Sequence, residues 1–139
     1  MARPRYLADT SAFARLSKPG VAAAFAPLVA QGQVALCAPV TFELAYSARN
    51  PVDYLELTSR LNSFAQVPVT EADHRRALDI QASLASISAH RALSLVDGLV
   101  AAIAEARDLI VLHYDADFEL IASVIDGAQQ WVVPRGTAD

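Results

Sequence analysis

Four acidic residues occupy similar positions relative to short apolar segments, and they are the residues best suited to chemistry in this sequence. Asp9 and Asp115 each follow an apolar run. Glu43 and Asp97 each lie near the start of a predicted helix, and a fifth acid, Asp117, stands two residues after Asp115. Carboxylate oxygens are the ligands that hard divalent cations prefer. These acids therefore indicate a divalent metal site.

The surroundings of two of these acids strengthen that interpretation. Glu43 is flanked by Phe42 and Leu44, no basic residue lies one helical turn beyond it, and Asp97 also stands in an apolar stretch. A buried carboxylate is costly unless it is paired, hydrogen-bonded or bound to metal. Metal held by such a cluster suits hydrolysis of a phosphodiester, because it lowers the pKa of bound water and stabilises the leaving oxygen. Thr10 or Ser11 would then contact phosphate or orient a metal ligand.

Most of these acids also have a purely structural interpretation. Asp9 is able to cap the helix that follows it, and Asp97 stands three residues after Ser94, the spacing of a capping box. Asp115 and Asp117 are equally able to cap a helix. Glu43 has no comparable structural explanation, and the metal interpretation is the one that accounts for the whole set.

Short apolar strands alternate with helical patterns along the chain, which predicts an α/β fold with a parallel sheet. Helices in such a fold run antiparallel to the strands, so helix starts and strand ends meet at one edge, where the acids are expected to converge. Strands are predicted at 6–8, 34–37, 67–69, 109–112 and 130–133, and helices at 21–31, 39–49, about 54–64, from 71, 94–107 and 115–125. Residues 18–20 are predicted to form a turn.

Composition narrows the class of protein. The chain has 139 residues and is expected to form one domain spanning 1–139. Its net charge of −4 argues against an unselective polyanion binder. Ten of its eleven cationic side chains are arginine, which suits bidentate phosphate contacts, so charge alone does not decide the function. The one cysteine, Cys37, fits a reducing compartment. No signal peptide or long apolar run is evident, so we expect a cytoplasmic protein without a membrane span.

Five segments in order resemble PIN-domain ribonucleases, and more closely the VapC-type toxins of bacterial toxin–antitoxin modules. The segments are 7–11, 39–44, 94–101, 113–118 and 131–136, so the resemblance covers essentially the whole chain. It implies a five-stranded parallel sheet in the order 3-2-1-4-5, flanked by helices, and an endoribonuclease that depends on Mg²⁺ or Mn²⁺. It also implies a cognate VapB-type antitoxin that blocks the site.

The resemblance assigns roles to particular residues. Carried over residue by residue, the acidic quartet is Asp9, Glu43, Asp97 and Asp115, and Asp117 is a fifth candidate ligand. Candidate RNA contacts are Arg15, Arg49 and Arg135. A homodimer is expected, with apolar contacts from helix 21–31 or 54–64. Gly98 stands where the family has a bulkier residue, and it is expected to loosen that helical turn.

Two other functions remain open from the sequence. One is a non-catalytic PIN-like module that binds RNA or a partner, although the intact acidic quartet argues against it. The other is a phosphatase or receiver-type domain, which needs a second acid beside the first and a partnering lysine. Asp9 has no acidic neighbour and the one lysine is Lys18, so this alternative ranks far lower.

Overall fold

A five-stranded, all-parallel sheet is the frame of the molecule. The computed structural model describes residues 3–139, so the predicted domain bounds include two residues, Met1 and Ala2, outside the described part. The strands lie in the order β3-β2-β1-β4-β5, which confirms the predicted fold class and strand order. They are β1 (Tyr6–Ala8), β2 (Val34–Cys37), β3 (Ala65–Val67), β4 (Ile110–His113) and β5 (Gln129–Trp131).

Seven α-helices connect and flank these strands in the described part of the chain. Their bounds are α1 (Thr10–Phe13), α2 (Pro19–Ala30), α3 (Ala38–Tyr46), α4 (Pro51–Asn62), α5 (Glu71–Ala85), α6 (Leu95–Ala106) and α7 (Asp117–Ala122). A short 3₁₀ turn at His90–Ala92 precedes α6. Within residues 3–139, none of the helices combines the length and apolar character that a membrane crossing requires.

The core forms where β1 meets its two neighbouring strands. Leu7 pairs in register with Ala35 of β2 and Val111 of β4, and every residue of β1 is buried. Complete burial of an aliphatic side chain such as Leu7 contributes roughly 1.5–3 kcal/mol to folding. Helix α6 is buried from Gly98 to Ala104 and packs against β1, β4 and α5. This packing fixes the first turn of α6 relative to the ends of the central strands.

Several predicted boundaries of strands and helices were wrong. Strand β3 ends at Val67, whereas we expected a strand at 67–69, and Pro68 therefore lies just beyond the end of this edge strand. The expected turn at 18–20 instead starts α2, because proline is well tolerated in the first turn of a helix. Helix α7 begins at Asp117, which leaves Asp115 in the preceding loop.

Gly98 does not loosen its helix, contrary to expectation. Helix α6 continues through it, and its N–H donates to the Ser94 carbonyl at 3.0 Å. A Cβ atom at this position would lie 3.3 Å from the Cβ of Ala77 in α5. The glycine thus allows α5 and α6 to pack at close range.

An ion pair joins α5 to the residue after α6, at the edge of the sheet opposite the carboxyl ends of the strands. The Arg107 guanidinium donates to the Asp73 carboxylate at 3.1–3.2 Å, and the Asp73 side chain is 4% exposed. Although burial raises the pKa of Asp73, hydrogen bonds from Arg107 and Thr70 lower it below its usual value. Asp73 also forms a capping box with Thr70 at the start of α5. This acid is therefore fully explained by structure.

Candidate active site

Asp9 stands at the end of β1 and uses its two carboxylate oxygens differently. Its Oδ2 accepts hydrogen bonds from the Ser11 N–H at 3.0 Å and the Ser11 hydroxyl at 2.6 Å. Asp9 thereby caps α1, as the structural interpretation expected. Its buried Oδ1 has no hydrogen-bond partner among residues 3–139. A buried carboxylate oxygen without a partner is costly, and this one is available to a cation.

Three further carboxylates meet beside this position. One ligand oxygen from each of Asp97, Asp115 and Asp117 lies within 4.8 Å of the others. Asp97 is in the first turn of α6, where its N–H donates to the Ser94 hydroxyl at 3.1 Å. The Asp117 N–H donates to Asp115 Oδ1 at 2.9 Å, which holds the two acids of the β4–α7 connection together. The structure therefore groups Asp117 with Asp97 and Asp115.

Glu43 reaches the same rim from α3 but in a different environment. Its Oε1 accepts a hydrogen bond from the Thr10 hydroxyl at 2.5 Å. The sequence suggested apolar surroundings for this acid, yet Glu43 is exposed and its neighbour Phe42 is 78% exposed. The argument from burial was therefore wrong for Glu43, although its contact with Thr10 attaches it to the segment that carries Asp9.

Thr10 and Ser11 connect the parts of this site. Thr10 links Glu43 to the start of α1. Ser11 donates its hydroxyl hydrogen to Asp9 and accepts a hydrogen bond from the Tyr114 N–H at 2.9 Å. The ends of β1 and β4 are thus held together by one hydroxyl. Both residues position the acids.

His113 is a functional residue candidate that the sequence reasoning largely missed. It is fully buried, its Nδ1 accepts from the Asp115 N–H at 3.0 Å, and its Nε2 lies 2.6 Å from Gln129 Oε1. An Nδ1 that accepts requires the neutral ring with hydrogen on Nε2, which then donates to Gln129. Burial lowers the pKa of His113, in agreement with the neutral form. The ring therefore positions the loop that carries Asp115.

Burial and mutual repulsion act on the protonation of the clustered acids. Burial, and then the charge of Asp9, raise the pKa of Asp97 to about 7. Burial also raises the pKa of Asp9, against the lowering effect of its Ser11 hydrogen bonds. The pKa of Asp117 is raised by burial and by Asp115. A nearby cation would lower the pKa of these carboxyl groups. Their raised pKa values therefore indicate that positive charge is lacking at the site.

The raised pKa of Asp97 makes folding stability depend on pH. Between about pH 4 and 7 the folded state keeps a proton on Asp97 that the unfolded state has already released. The stability that this proton gives is therefore complete below pH 4 and is lost as the pH rises through 7. In EDTA, Asp97→Asn should gain stability over wild type as pH rises, by up to about 1.4 kcal/mol per pH unit. Urea unfolding of both proteins from pH 5 to pH 8 measures this difference.

Comparison of wild type with Asp97→Asn separates the effect of Asp97 on stability from the effects of other titrating groups. His113, whose pKa is lowered, shifts stability in the opposite direction over part of this range, and it does so equally in both proteins. A difference between wild type and Asp97→Asn that stays constant across the range would show that Asp97 is not protonated in the folded state.

The predicted arginines fall into two groups. The Arg15 guanidinium lies 5.1 Å from the centre of the Tyr114 ring, and that of Arg135 lies 5.6 Å from the centre of the Trp131 ring. Arg15 and Arg135 line a shared cavity beside Asp115. Arg49 lies apart from this cavity, after α3, and pairs with Asp53 at 3.6 Å.

Comparisons with known proteins concern the chain as a whole. The PIN domain family matches residues 6–124. Ribonuclease VapC51 of Mycobacterium tuberculosis (strain ATCC 25618 / H37Rv) is 46% identical over 135 residues, which cover 97% of this chain and 98% of that protein. Two solved structures share the fold. DNA-bound VapBC from Salmonella typhimurium has a TM-score of 0.72 at 16% identity, covering 94% of this chain and 100% of that chain. VapBC-5 from Mycobacterium tuberculosis, a member of the VapBC family of toxin–antitoxin systems, has a TM-score of 0.60 at 19% identity, covering 93% and 98%.

Proposed function

The chain belongs to the PIN-domain family, among the VapC ribonucleases, and on this basis we propose that it is a metal-dependent endoribonuclease. The observation that carries the proposal is the meeting of Asp97, Asp115 and Asp117 beside the unpartnered Oδ1 of Asp9. Within residues 3–139 no basic side chain forms an ion pair with these carboxylates, so they lack the structural explanation that Arg107 gives to Asp73. They form the expected ligand set for a hard divalent ion.

The donor atoms suit Mg²⁺ or Mn²⁺, since all of them are carboxylate oxygens. We propose that Asp9, Asp97, Asp115 and Asp117 hold the metal, with Glu43 as a further ligand or a group that positions water. Divalent ions bound at such a site lower the pKa of bound water and stabilise the oxygen that leaves phosphorus. The protein's own contribution is to fix the acids: Ser11 orients Asp9, His113 holds the Asp115 loop, and Thr10 holds Glu43.

RNA is the proposed substrate. The net charge of −4 and the acidic cluster disfavour a polyanion unless the cluster carries metal, so metal and substrate binding should be coupled. We propose that Arg15, Arg49 and Arg135 contact the RNA backbone. Guanidinium groups suit this role because their planar donors bind phosphate in a bidentate manner.

A cognate VapB-type antitoxin is the proposed protein partner. The VapBC assemblies that share this fold support a pairing of this kind. Aromatic side chains of α3 and α4 are unusually exposed, and Phe42, Tyr46 and Tyr54 line a cavity of about 420 Å³ between the two helices. We propose that this surface contributes apolar contacts to the antitoxin or to a homodimer. We propose that the chain is the toxin of a cytoplasmic VapBC module and that residues 1–139 belong to one PIN-like domain.

Cleavage of RNA by the purified chain tests the proposed function. We expect labelled single-stranded RNA to be cut internally in Mg²⁺ or Mn²⁺, and cutting to stop in excess EDTA and resume when metal is restored, because the acids need a counter-cation to act. Addition of the co-encoded antitoxin should suppress the reaction. Cutting that survives EDTA undiminished would contradict the assignment.

A further inference from the structure

A second cavity lies directly beside the acidic cluster. It has a volume of about 450 Å³ and opens between the end of β4 and the segment after β5. Its lining includes Ser11, Arg15, Tyr114, Asp115, Trp131 and Arg135. Two of these residues, Ser11 and Asp115, also belong to the candidate active site. A molecule that spans the cavity and the cluster would therefore continue from one into the other.

Two guanidinium groups face aromatic rings in this cavity. Arg15 lies over Tyr114 and Arg135 over Trp131, and the two rings are themselves in edge-to-face contact at 5.2 Å. Arg135 also lies 3.4 Å from Glu119, whereas Arg15 has no carboxylate within 4.0 Å among residues 3–139. The cavity thus presents two guanidinium groups beside the carboxylates of Asp115 and Asp139, which also line it, and within residues 3–139 only that of Arg135 forms an ion pair.

The aromatic wall is held rigidly. The Tyr114 hydroxyl accepts from the N–H groups of Gly136 and Ala138, both at 2.9 Å, and donates to Asp139 at 2.7 Å. Trp131 Nε1 donates to Glu119 at 2.7 Å. These bonds also engage the carboxylates of Asp139 and Glu119. The two aromatic rings that face the guanidinium groups are therefore held in place by hydrogen bonds.

We propose that this cavity binds one nucleotide of single-stranded RNA adjacent to the phosphodiester that is cleaved. Arg15 and Arg135 hold its phosphate, and the partly exposed ring of Trp131 contacts its base. This inference rests on the proposed function and extends it, since it assigns a subsite beyond the acidic cluster. Base stacking on aromatic rings with arginines along the backbone is the usual chemistry of single-strand recognition.

The position of the cavity favours a nucleotide over an acidic peptide. Carboxylates and phosphates both bind guanidinium groups, so the aromatic ring of Trp131 is the feature that distinguishes the two ligands. A nucleotide presents a flat base to Trp131, and its chain continues through a phosphodiester toward Asp115. The cavity is large enough for one such unit.

Affinity for RNA under varied salt tests the subsite. All proteins carry Asp9→Asn to prevent cleavage, and anisotropy of a short fluorescent single-stranded RNA is measured in one Mg²⁺ buffer. Arg15→Gln and Arg135→Gln should each weaken binding about tenfold, the scale of a lost charge-assisted contact. Each should also reduce the salt slope by about 0.7, the value for one phosphate of a single strand. Arg15→Lys and Arg135→Lys should restore most of the slope.

Arg5→Gln is the matched control. Arg5 also lies over a tyrosine ring, at 5.7 Å from the centre of Tyr6, but at the start of β1, the opposite edge of the sheet. It should bind RNA like the parent, and thermal melting checks that every variant is folded. Arg135 is exposed, so its variant remains informative even if Arg15→Gln disturbs packing.

Two results would overturn the subsite. The first is that both glutamine variants bind RNA with unchanged affinity and salt slope. If the chain with Asp9 intact still cuts RNA, the proposed function then stands without the subsite. The second is equal binding of a glutamate-rich peptide, with the same loss in both variants, which would show a general anion site. Loss of RNA affinity in both variants supports the subsite, whether or not the wild-type chain cuts RNA. Failure of the wild-type chain to cut RNA would count against the proposed function alone.

Discussion

Asp9→Asn is expected to reduce RNA cleavage by at least ~100-fold, the scale of loss when one preorganised electrostatic group is removed from an active site. Asparagine keeps the shape of the side chain and an oxygen to accept from Ser11, so the cap of α1 is preserved. It removes the charge at the buried oxygen that has no partner. Folding stability in EDTA should hold or rise slightly, because repulsion with Asp97 and Asp115 falls. Asp97→Asn should lose cleavage on the same scale, and its stability in EDTA should exceed that of wild type increasingly as the pH rises toward 7.

Asp73→Asn is the control for this pair of variants. Asp73 is a buried acid like Asp9, but it pairs with Arg107 at the far edge of the sheet. Its replacement should cost up to roughly 3 kcal/mol of stability, because Arg107 loses a buried partner. Cleavage well below the melting temperature should nevertheless persist. In gel assays of labelled RNA, Asp73→Asn should therefore be the most active of the three variants. In thermal melts it should be the least stable. Cleavage by Asp9→Asn and Asp97→Asn at the wild-type rate would favour the non-catalytic binding module instead.

Divalent metal should stabilise the fold strongly. The clustered acids repel one another without it, and a ligand that binds only the folded state stabilises by mass action. At ~100 times its Kd the gain is about 2.7 kcal/mol. Melting in EDTA, then in millimolar Mn²⁺ or Mg²⁺, measures the gain as a rise in Tm.

Variants separate a specific site from general ion binding in this experiment. Asp73→Asn should keep the metal-dependent rise, since it leaves the cluster intact, whereas Asp97→Asn should lose most of it. Superimposable melting curves with and without metal would mean that Asp97, Asp115 and Asp117 meet for another reason.

The convergence of the acids was predictable from the sequence because it follows from topology. Once β1 and β4 are recognised as parallel strands, Asp9 and Asp115 must lie at the same edge, and the start of α6 brings Asp97 there. The sequence did not predict that one Asp9 oxygen caps α1 while the other has no hydrogen-bond partner among residues 3–139. Capping of α1 and cation binding seemed to be alternatives, but a carboxylate has two oxygens and the structure uses one for the cap.

Other features could not be read from local pattern. The residues around Glu43 are apolar, which predicted burial, but Phe42 and Tyr46 face outward on α3. Apolar side chains on a surface that binds a partner look the same in sequence as a core. The role of His113 depends on a contact with Gln129, sixteen residues away on a neighbouring strand. No spacing rule predicts such a pair.

The chemical ends of the RNA fragments test the central claim most directly, namely that the acidic cluster activates water rather than the RNA's own 2′-hydroxyl. Mass spectrometry of fragments from the Mn²⁺ reaction should find linear phosphate ends with no 2′,3′-cyclic phosphate, because water is the nucleophile. These fragments should be absent in EDTA and nearly absent with Asp9→Asn. Cyclic phosphate ends formed equally by wild type and Asp9→Asn, with or without metal, would contradict the account.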